Sequence, residues 1–240
     1  MKLALVTGGS RGLGLALCQA LHVRGYRVLE FSRSAPHPFS VRLDLSEPLA
    51  SQNAVSSAIQ RFSEEPLEEL LVLSNAGTLT PIGPVAGQSP ESAAATLHVN
   101  LTGPVLSLAA IVSTFQASSC RKVIGNISSG AASRGYSGWS LYCAAKAGME
   151  NFVRAFALEQ QQQTWPFLAV NIDPGVIDTD MQASIRAASV NDFPDVHRFI
   201  RRKEEGGLAS PEDVAERVLR IMWEPSLQSG HRYDVADFGS

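Results

Sequence analysis

The chain has 240 residues and a formal net charge of -3, which argues against a surface that binds nucleic acid. Hydrophobic residues make up 45% of the sequence and charged residues 18%, as expected for one globular domain with a sizeable core. The sequence lacks the uninterrupted apolar run of about 18 residues that a membrane-spanning helix requires, so we expect no membrane partner.

The three cysteines, Cys18, Cys120 and Cys143, follow neither a metal-ligand nor a disulfide pattern. Each lies among apolar or small residues, which is typical of buried free thiols in a reducing compartment. The apolar run at residues 3–6 is too short for a signal peptide and continues directly into a glycine-rich loop. We therefore expect a cytoplasmic protein without a bound metal.

Short apolar runs alternate with helical patterns along the whole chain. The runs are typical of strands buried on both faces, and they lie at residues 3–6, 28–31, 70–73, 123–127 and 168–172. Between them, apolar side chains recur at helical spacing, as in residues 13–21, 55–62 and 149–156. This alternation predicts an α/β fold with one Rossmann-like domain over residues 1–240. Its doubly wound parallel sheet should carry helices on both faces.

A glycine-rich loop with the pattern G-x-x-x-G-x-G follows the first predicted strand at residues 7–14. Glycines let the backbone turn tightly and approach a pyrophosphate, whose charge the N-terminus of the next helix stabilises. The strand before the loop and the helix after it favour a dinucleotide site over a merely structural turn. The predicted binding residues here are Gly8, Ser10, Arg11, Gly12, Leu13 and Gly14.

The end of the second predicted strand distinguishes the two nicotinamide cofactors. An acid there binds the ribose hydroxyls of NAD, whereas basic groups bind the 2′-phosphate of NADP. We place Ser32 at this position, with Arg33 beside it and Arg11 reaching across from the glycine loop, so that two guanidinium groups hold one phosphate. Glu30 is the only acid nearby, and we expect it to lie inside the strand and point away. The pattern favours NADPH/NADP+.

Three side chains further along the chain suit the reduction of a carbonyl. Tyr142 and Lys146 are four residues apart in a predicted helix, so they project from one face, and Ser129 lies upstream. A serine can hydrogen-bond a substrate oxygen while a tyrosine donates a proton to it. Ser128 is the alternative to Ser129, and a tyrosine and a lysine at this spacing can also be ordinary helix residues.

Residues 181–208 interrupt the regular alternation of elements. They mix charged residues with four apolar ones, Phe193, Val196, Phe199 and Ile200. A segment of this length in a compact domain is typical of a lid over a binding site, and we predict a substrate lid. The alternative is a helical excursion that packs permanently on the body. Residues 76–88, rich in Thr, Pro and Gly, are predicted to form a surface loop after a strand.

Together these motifs resemble the short-chain dehydrogenase/reductase family along essentially the whole chain. The resemblance implies that Asn100 completes a catalytic tetrad and holds a water that links Lys146 to solvent. It also implies that the adenine binds near Asp44 and Leu45. The other residues implied to bind the cofactor are Asn75, Ala76, Gly77, Tyr142, Lys146, Pro174, Gly175, Ile177, Thr179 and Met181.

Within the family, the chain resembles the branch of sepiapterin reductases and bacterial benzil reductases. Residues 138–147, 178–182 and 229–234 carry this likeness. In sepiapterin reductases an aspartate in the last of these segments holds the pterin, and Asp234 falls on that position. The sequence His231-Arg232-Tyr233 is bulkier and more basic than the branch leads us to expect. A structural role in the last strand is the alternative for Asp234.

These expectations describe an NADPH-dependent reductase that delivers hydride to an aromatic or heterocyclic ketone or diketone. One alternative is a sepiapterin-type pterin reductase, and another is a nicotinamide-binding sensor or scaffold without turnover. The resemblance implies a homodimer or homotetramer formed through the helices at residues 100–115 and 142–158. The predicted substrate contacts are Ser129, Tyr136, Trp139, Tyr142 and Asp234.

Overall fold

The computed structural model describes residues 1–239 of the chain. Within them, seven strands form one sheet: β1 (Lys2–Thr7), β2 (Arg27–Ser32), β3 (Ser40–Arg42), β4 (Glu69–Ser74), β5 (Arg121–Ile127), β6 (Phe167–Asp173) and β7 (Arg232–Asp234). All neighbours in the order β3-β2-β1-β4-β5-β6-β7 pair in parallel. The predicted doubly wound parallel sheet is confirmed.

Helices cover both faces of this sheet. Residues 1–239 contain α1 (Gly12–Val23), α2 (Pro48–Ile59), α3 (Pro90–Leu97), α4 (Gly103–Phe115), α5 (Ser140–Gln160), α6 (Asp180–Arg186), α7 (Val196–Glu204) and α8 (Pro211–Trp223). One core lies between the sheet and α1 and α8, and a second lies between the sheet and α2, α4 and α5. The sheet is therefore shielded from water on both sides.

The strand β1 illustrates why the apolar runs have no polar alternation. Its side chains point alternately to opposite faces, so Leu3 and Leu5 join one core while Ala4 and Val6 join the other. All four side chains are at most 1% exposed. A parallel strand between two helical layers has no solvent-facing side, and an uninterrupted apolar sequence is the result.

The carboxyl ends of the strands lie along one edge of the sheet, and the loops that follow them bring the predicted site residues together. The glycine loop follows β1, Asn75 follows β4, Ser129 follows β5 and Pro174 follows β6. The sheet order changes direction at β1, which pairs with both β2 and β4. In open α/β sheets, such a switch point forms the crevice for a ligand.

The helical stretch Pro90–Phe115 comprises α3, a π-helical turn and α4. It has 26 residues, and an 18-residue window within it has a mean hydropathy of 1.5, so by length and composition alone it could cross a membrane. In that window 44% of the residues are buried, and α4 packs against α2 and the sheet as a core helix does. The sequence has no uninterrupted apolar run of the length expected for a membrane-spanning helix, but this helical stretch still has the length and composition of one.

Candidate active site

The glycine loop packs so closely against its surroundings that side chains are excluded from it. A Cβ atom on Gly8 would lie 2.8 Å from the Cα atom of Ala76, and one on Gly14 would overlap the Gly8 carbonyl oxygen. Gly8 and Gly12 also have positive φ angles of 72° and 54°, which favour glycine. The loop thus presents bare backbone in front of α1, as binding of a pyrophosphate requires.

Asn75 holds this loop in place. Its side-chain amide donates to the carbonyl oxygens of Thr7 and Gly8 at 3.0 and 3.1 Å, and its backbone N–H donates to the Thr7 hydroxyl at 3.1 Å. The backbone N–H of Ala76 donates to the same hydroxyl at 3.1 Å. The Asn75-Ala76-Gly77 motif therefore joins the end of β4 to the end of β1 and fixes the loop geometry.

At the end of β2, Ser32 is buried and its hydroxyl accepts from the backbone N–H of Ala35 at 3.2 Å. Arg33 is exposed beside it. The Arg11 side chain, in contrast, forms an ion pair of 2.9 Å with Asp180 at the start of α6. Both partners of that pair are more than 70% exposed, so it adds little stability and Arg11 can exchange partners at low cost.

Glu30 lies inside β2, as predicted, but it does not point away from the glycine loop. Its side chain fills the space beside Gly9, where a Cβ atom would overlap it, and its carboxylate accepts from the Ser40 hydroxyl. The side chain is fully buried, because alternate residues of β2 face α1 and this is one of them. Glu30 is therefore covered by the loop that would bind the cofactor.

The remaining predicted cofactor residues line the same edge of the sheet. Burial would raise the pKa of the exposed Asp44 carboxyl, but two hydrogen bonds from Ser46 and the charges of Arg33 and Arg42 outweigh it and lower this pKa. Leu45 is buried beneath it. After β6, Pro174 is buried and Gly175 has a φ of 68°. Ile177 forms a β-bridge to Ala209, and Thr179 precedes α6. Met181 is 36% exposed.

Tyr142, Lys146 and Ser129 come together where α5 begins next to the end of β5. Tyr142 and Lys146 are 8% and 6% exposed, and the Lys146 Nζ atom lies 5.7 Å from the Tyr142 ring centroid. The ammonium donates to the Ile127 carbonyl oxygen at 2.7 Å. Ser129 begins the turn after β5, and its hydroxyl accepts from the backbone N–H of Ala131 at 3.1 Å. Ser128, the alternative, is buried behind it and donates to Glu150 at 2.6 Å.

Burial dominates the protonation of the two ionisable groups. It raises the pKa of the Tyr142 phenol to about 12, although a hydrogen bond with the Ser129 side chain lowers it in part. Burial also lowers the pKa of Lys146 to about 8, against the Asp173 charge, which raises it. At neutral pH the pair is thus a phenol and an ammonium, the protonated forms that a carbonyl reduction needs at its start.

Asn100 lies in the π-helical turn His98–Thr102 between α3 and α4. Its amide donates to the carbonyl oxygens of Thr78 and Thr96, both at 2.9 Å, and its Oδ1 atom accepts from the Thr78 backbone N–H at 2.9 Å. A Cβ atom on Gly77 would lie 3.0 Å from Asn100 Oδ1 and 3.9 Å from Lys146 Nζ. Asn100 and Lys146 thus face the same glycine.

An aromatic cluster covers Tyr142. Trp139 meets Tyr142 edge to face at 6.2 Å and stacks on Phe193 at 4.5 Å, with an angle of 8° between the planes. Tyr136 and Phe199 lie at 4.8 and 5.5 Å from Trp139. Phe193 is fully buried although it belongs to the predicted lid. Residues 181–208 therefore reach Tyr142 through Trp139.

Comparison with known proteins agrees with this geometry. The profile of the short chain dehydrogenase family matches residues 2–189. Benzil reductase ((S)-benzoin forming) of Bacillus subtilis (strain 168) is 34% identical over 250 aligned positions, which cover 99% of this chain and 100% of the relative. The chain belongs to the short-chain dehydrogenase family.

Other relatives of this short-chain dehydrogenase agree with the predicted branch. Sepiapterin reductase of Xenopus tropicalis is 27% identical over 258 aligned positions, which cover 98% of this chain and 96% of that protein. The crystal structure of the KRED1-Pglu enzyme superimposes with a TM-score of 0.82 at 26% identity, covering 97% of this chain and 100% of that one. The predicted likeness to benzil and sepiapterin reductases is confirmed.

As a short-chain dehydrogenase, the chain is an oxidoreductase of a family that uses nicotinamide cofactors. The crowded glycine loop fits such a cofactor, because Gly8, Gly12 and Gly14 carry no side chain that would keep a pyrophosphate from the backbone in front of α1. Arg33 and Arg11 both lie on loops at the same edge of the sheet.

Sequence reasoning missed one charged residue of this short-chain dehydrogenase. Asp173 ends β6 in register with Asp234 in β7, and its carboxylate accepts from Arg232 at 2.6 Å. Asp234 itself is exposed, and its carboxylate accepts from the backbone N–H of Ala236 at 2.9 Å, which gives it a local structural role. Only the parallel pairing of β6 with β7 brings these residues together, so the one available signal was the basic sequence around Arg232.

Proposed function

We propose that the protein is an NADPH-dependent carbonyl reductase that acts on aromatic or heterocyclic ketones and diketones. The observation that carries this proposal is the buried meeting of Ser129, Tyr142 and Lys146 beneath an aromatic wall. Benzil, an aromatic diketone, is the substrate named for two relatives, at 34% and 31% identity. A flat aromatic substrate suits contact with Trp139 and Tyr136.

In this mechanism, bound NADPH supplies the hydride. Ser129 donates a hydrogen bond to the substrate oxygen and stabilises the charge that develops on it. Tyr142 acts as general acid and passes its phenolic proton to that oxygen. Lys146 orients the nicotinamide ribose and, as an ammonium, stabilises the phenolate that Tyr142 becomes. Asn100 holds a water through which the proton is replaced from solvent.

The proposed choice of NADPH rests on the positive charge at the end of β2. Arg33 is exposed there, and Arg11 is engaged only by an exposed ion pair with Asp180. A 2′-phosphate carries more negative charge than one carboxylate and accepts several hydrogen bonds, so it can displace Asp180 from Arg11. Glu30 is buried beneath the loop, and it is therefore a poor partner for the ribose hydroxyls of NAD.

We further propose that residues 181–208 form a lid that completes the substrate pocket. Phe193 and Val196 anchor the segment against Trp139 and its neighbours, while its charged residues other than the half-buried Arg186 face solvent. Closure of such a segment excludes water from hydride transfer.

Oligomerisation and location complete the proposal. An apolar groove of about 320 Å³ runs between the outer faces of α4 and α5, where Leu108, Val112 and Phe152 are among the lining residues. A second copy of the chain would cover this groove in a homodimer or homotetramer. The three cysteines are free thiols within residues 1–239, which suits the reducing cytoplasm.

Two other functions remain distinct candidates. A sepiapterin-type pterin reductase is supported by the sepiapterin reductase relatives and by the position of Asp234. A nicotinamide-binding sensor without turnover is disfavoured, because the complete set of Ser129, Tyr142 and Lys146 would have no use in it.

The test is oxidation of NADPH, followed by its absorbance, with benzil and with sepiapterin as parallel substrates. The proposal expects turnover of benzil with NADPH, much weaker turnover with NADH, and little turnover of sepiapterin. Preference for sepiapterin would establish the pterin reductase instead. Binding of NADPH without turnover of any carbonyl compound would establish the sensor.

A further inference from the structure

Glu150 extends the face of α5 that carries Tyr142 and Lys146 by one more turn. The three residues follow one another at intervals of four, so their side chains project from the same side of the helix. All three are at most 8% exposed. In the proposed mechanism Tyr142 and Lys146 act on the proton, whereas the buried carboxylate of Glu150 has no role in it.

Lys146 and Glu150 contact consecutive residues of the segment that leads to Ser129. The ammonium donates to the Ile127 carbonyl oxygen at 2.7 Å, and Glu150 Oε1 accepts from the Ser128 hydroxyl at 2.6 Å. Both hydrogen bonds are buried. One face of α5 therefore holds the end of β5 at a fixed position along the helix.

Arg232, in β7, adds contacts from a third element. Its Nη1 atom pairs with Glu150 and lies 3.4 Å from the Ser128 hydroxyl oxygen. Its Nη2 atom donates to Asp173 at 2.6 Å and to the Ser129 carbonyl oxygen at 3.4 Å. The Glu150 and Arg232 side chains are 3% and 26% exposed, so water screens their charges weakly. A planar guanidinium thus fixes the relative positions of α5 and the end of β5.

The position of the Ser129 hydroxyl depends on this backbone. Ser129 is extended and begins the turn after β5, and its hydroxyl accepts from the backbone N–H of Ala131 at 3.1 Å. The hydroxyl is therefore fixed relative to its own turn, and Ser128 connects that turn to α5. A displacement of about 1 Å between reacting groups can lower a rate about a hundredfold, so this connection matters for catalysis.

We propose that Glu150 is a positioning residue that acts through Ser128 and, together with Arg232, keeps the Ser129 hydroxyl in reach of the substrate oxygen. The inference rests on the proposed carbonyl reduction, in which Ser129 stabilises the charge that develops on that oxygen. Stability alone is a poor reason for a buried ion-pair network, because the cost of desolvating the charges offsets their attraction. Contacts with consecutive residues next to Ser129 give the network a use in alignment.

The two oxygens of Glu150 bind different partners, which provides a matched control. Oε1 accepts from Ser128 and pairs with Arg232, whereas Oε2 accepts from Arg154 at 2.8 Å. Arg154→Gln therefore removes a half-exposed cation from the same carboxylate and leaves the Oε1 contacts in place. Ser128→Ala removes the hydroxyl and leaves both ion pairs of Glu150.

The test is a double-mutant cycle in benzil reduction by the full-length chain at saturating NADPH. We expect Ser128→Ala to lower kcat about tenfold with little change in KM or in NADPH affinity, because the Ser129 hydroxyl is displaced. In a Ser129→Ala background the same substitution should lower kcat less than about twofold, since no hydroxyl is left to position. Glu150→Gln should show the same pattern with a smaller loss, because its amide oxygen still accepts from Ser128. Arg154→Gln should leave kcat within about twofold of the wild type.

An unchanged kcat in a folded Ser128→Ala protein would overturn the inference. An equal loss in both backgrounds would also overturn it, because Ser128 would then act on a group other than Ser129. Circular dichroism reports whether each variant folds, and should Ser128→Ala fail to fold, the cycle with Glu150→Gln decides.

A wild type that reduces no carbonyl compound would refute the proposed function and leave the positioning role to a structural measurement. Crystal structures of the wild type and of Ser128→Ala show the Ser129 hydroxyl without turnover. We expect it to move relative to Tyr142 by more than about 0.5 Å, the tolerance of a productive site. An unshifted hydroxyl would contradict the positioning role of Glu150 and Ser128.

Discussion

The two sides of the candidate active site are built in different ways. On the cofactor side, the glycine loop and Asn75 form a surface of backbone groups from which side chains are excluded by contact distances. On the proposed substrate side, the rings of Trp139, Phe193 and Phe199 pack against one another. The first surface depends on the absence of side chains at the glycines, and the second depends on which large side chains pack against one another.

This difference separates the properties that the whole family is expected to share from those that are particular to this chain. A backbone cradle recognises a phosphate in the same way whatever the rest of the ligand is. A wall of side chains changes shape with each substitution, because interiors are close-packed. We therefore expect the nicotinamide cofactor to be common to the family, and the substrate to depend on the aromatic cluster of this chain.

Replacement of Tyr142 tests the point where the two sides meet. We expect Tyr142→Phe to keep the fold and the affinity for NADPH but to lower kcat by at least about a hundredfold, since a general acid is lost. Tyr26→Phe is the matched control, because Tyr26 lies at the far end of the sheet, where its hydroxyl bonds to Glu69 and Trp223. It should lower the melting temperature without lowering kcat. Near wild-type turnover of a folded Tyr142→Phe protein would eliminate the mechanism.

Replacement of Arg33 tests one of the side chains that we propose to bind the cofactor. We expect Arg33→Ala to raise KM for NADPH about ten- to a hundredfold and to leave KM for NADH nearly unchanged, because a charge-assisted contact to the 2′-phosphate is lost. Arg61→Ala, at an arginine that lies over the Phe62 ring, controls for the change in net charge. Equal use of both cofactors by the wild type would contradict the assignment.

Replacement of Gly14 tests whether the glycine loop excludes a side chain at this position. The added methyl group of Gly14→Ala would overlap the Gly8 carbonyl oxygen, so we expect a loss of about 1–3 kcal/mol in stability together with weaker NADPH binding. Gly87→Ala is the control, since nothing lies within 4 Å of a Cβ atom there. Thermal melts and NADPH fluorescence titrations measure both effects. A Gly14→Ala protein as stable as the control would show that the loop can shift to accommodate the methyl group.

Limited proteolysis tests the substrate side, where we expect the smallest effect. Trypsin should cut the ligand-free enzyme near Arg201, Arg202 and Lys203, and NADPH with a substrate analogue should slow this cleavage a few-fold by ordering the lid. Phe193→Ala should speed it, whereas Val190→Ala, at a residue 51% exposed in the same segment, should not. Equal cleavage rates with and without ligands would mean that the segment is a fixed part of the scaffold.

The sequence predicted the five long strands and the glycine loop because each is a local pattern. It did not predict β3, whose three residues mix polar and apolar side chains, and it did not reveal where the Glu30 side chain points. The partnership of Asp173 with Arg232 spans 59 positions and needs the pairing of β6 with β7. Such contacts between distant segments are set by the fold, and the spacing of residues along the chain does not predict them.

The position of β7 after β6 and α8 also affects when the site can be completed during protein synthesis. During synthesis the chain emerges from its N-terminus, at about 5–20 residues per second, and its segments can begin to fold as they appear. Glu150 and Asp173 are both made well before Arg232, the guanidinium that neutralises them. A nascent chain that has released its glycine loop, Tyr142 and even β6 still lacks the guanidinium that joins Asp173 to Glu150 behind Ser129, although Arg154 can already pair with Glu150. The network behind Ser129 is therefore completed only after β7 has followed β6 and α8 out of the ribosome.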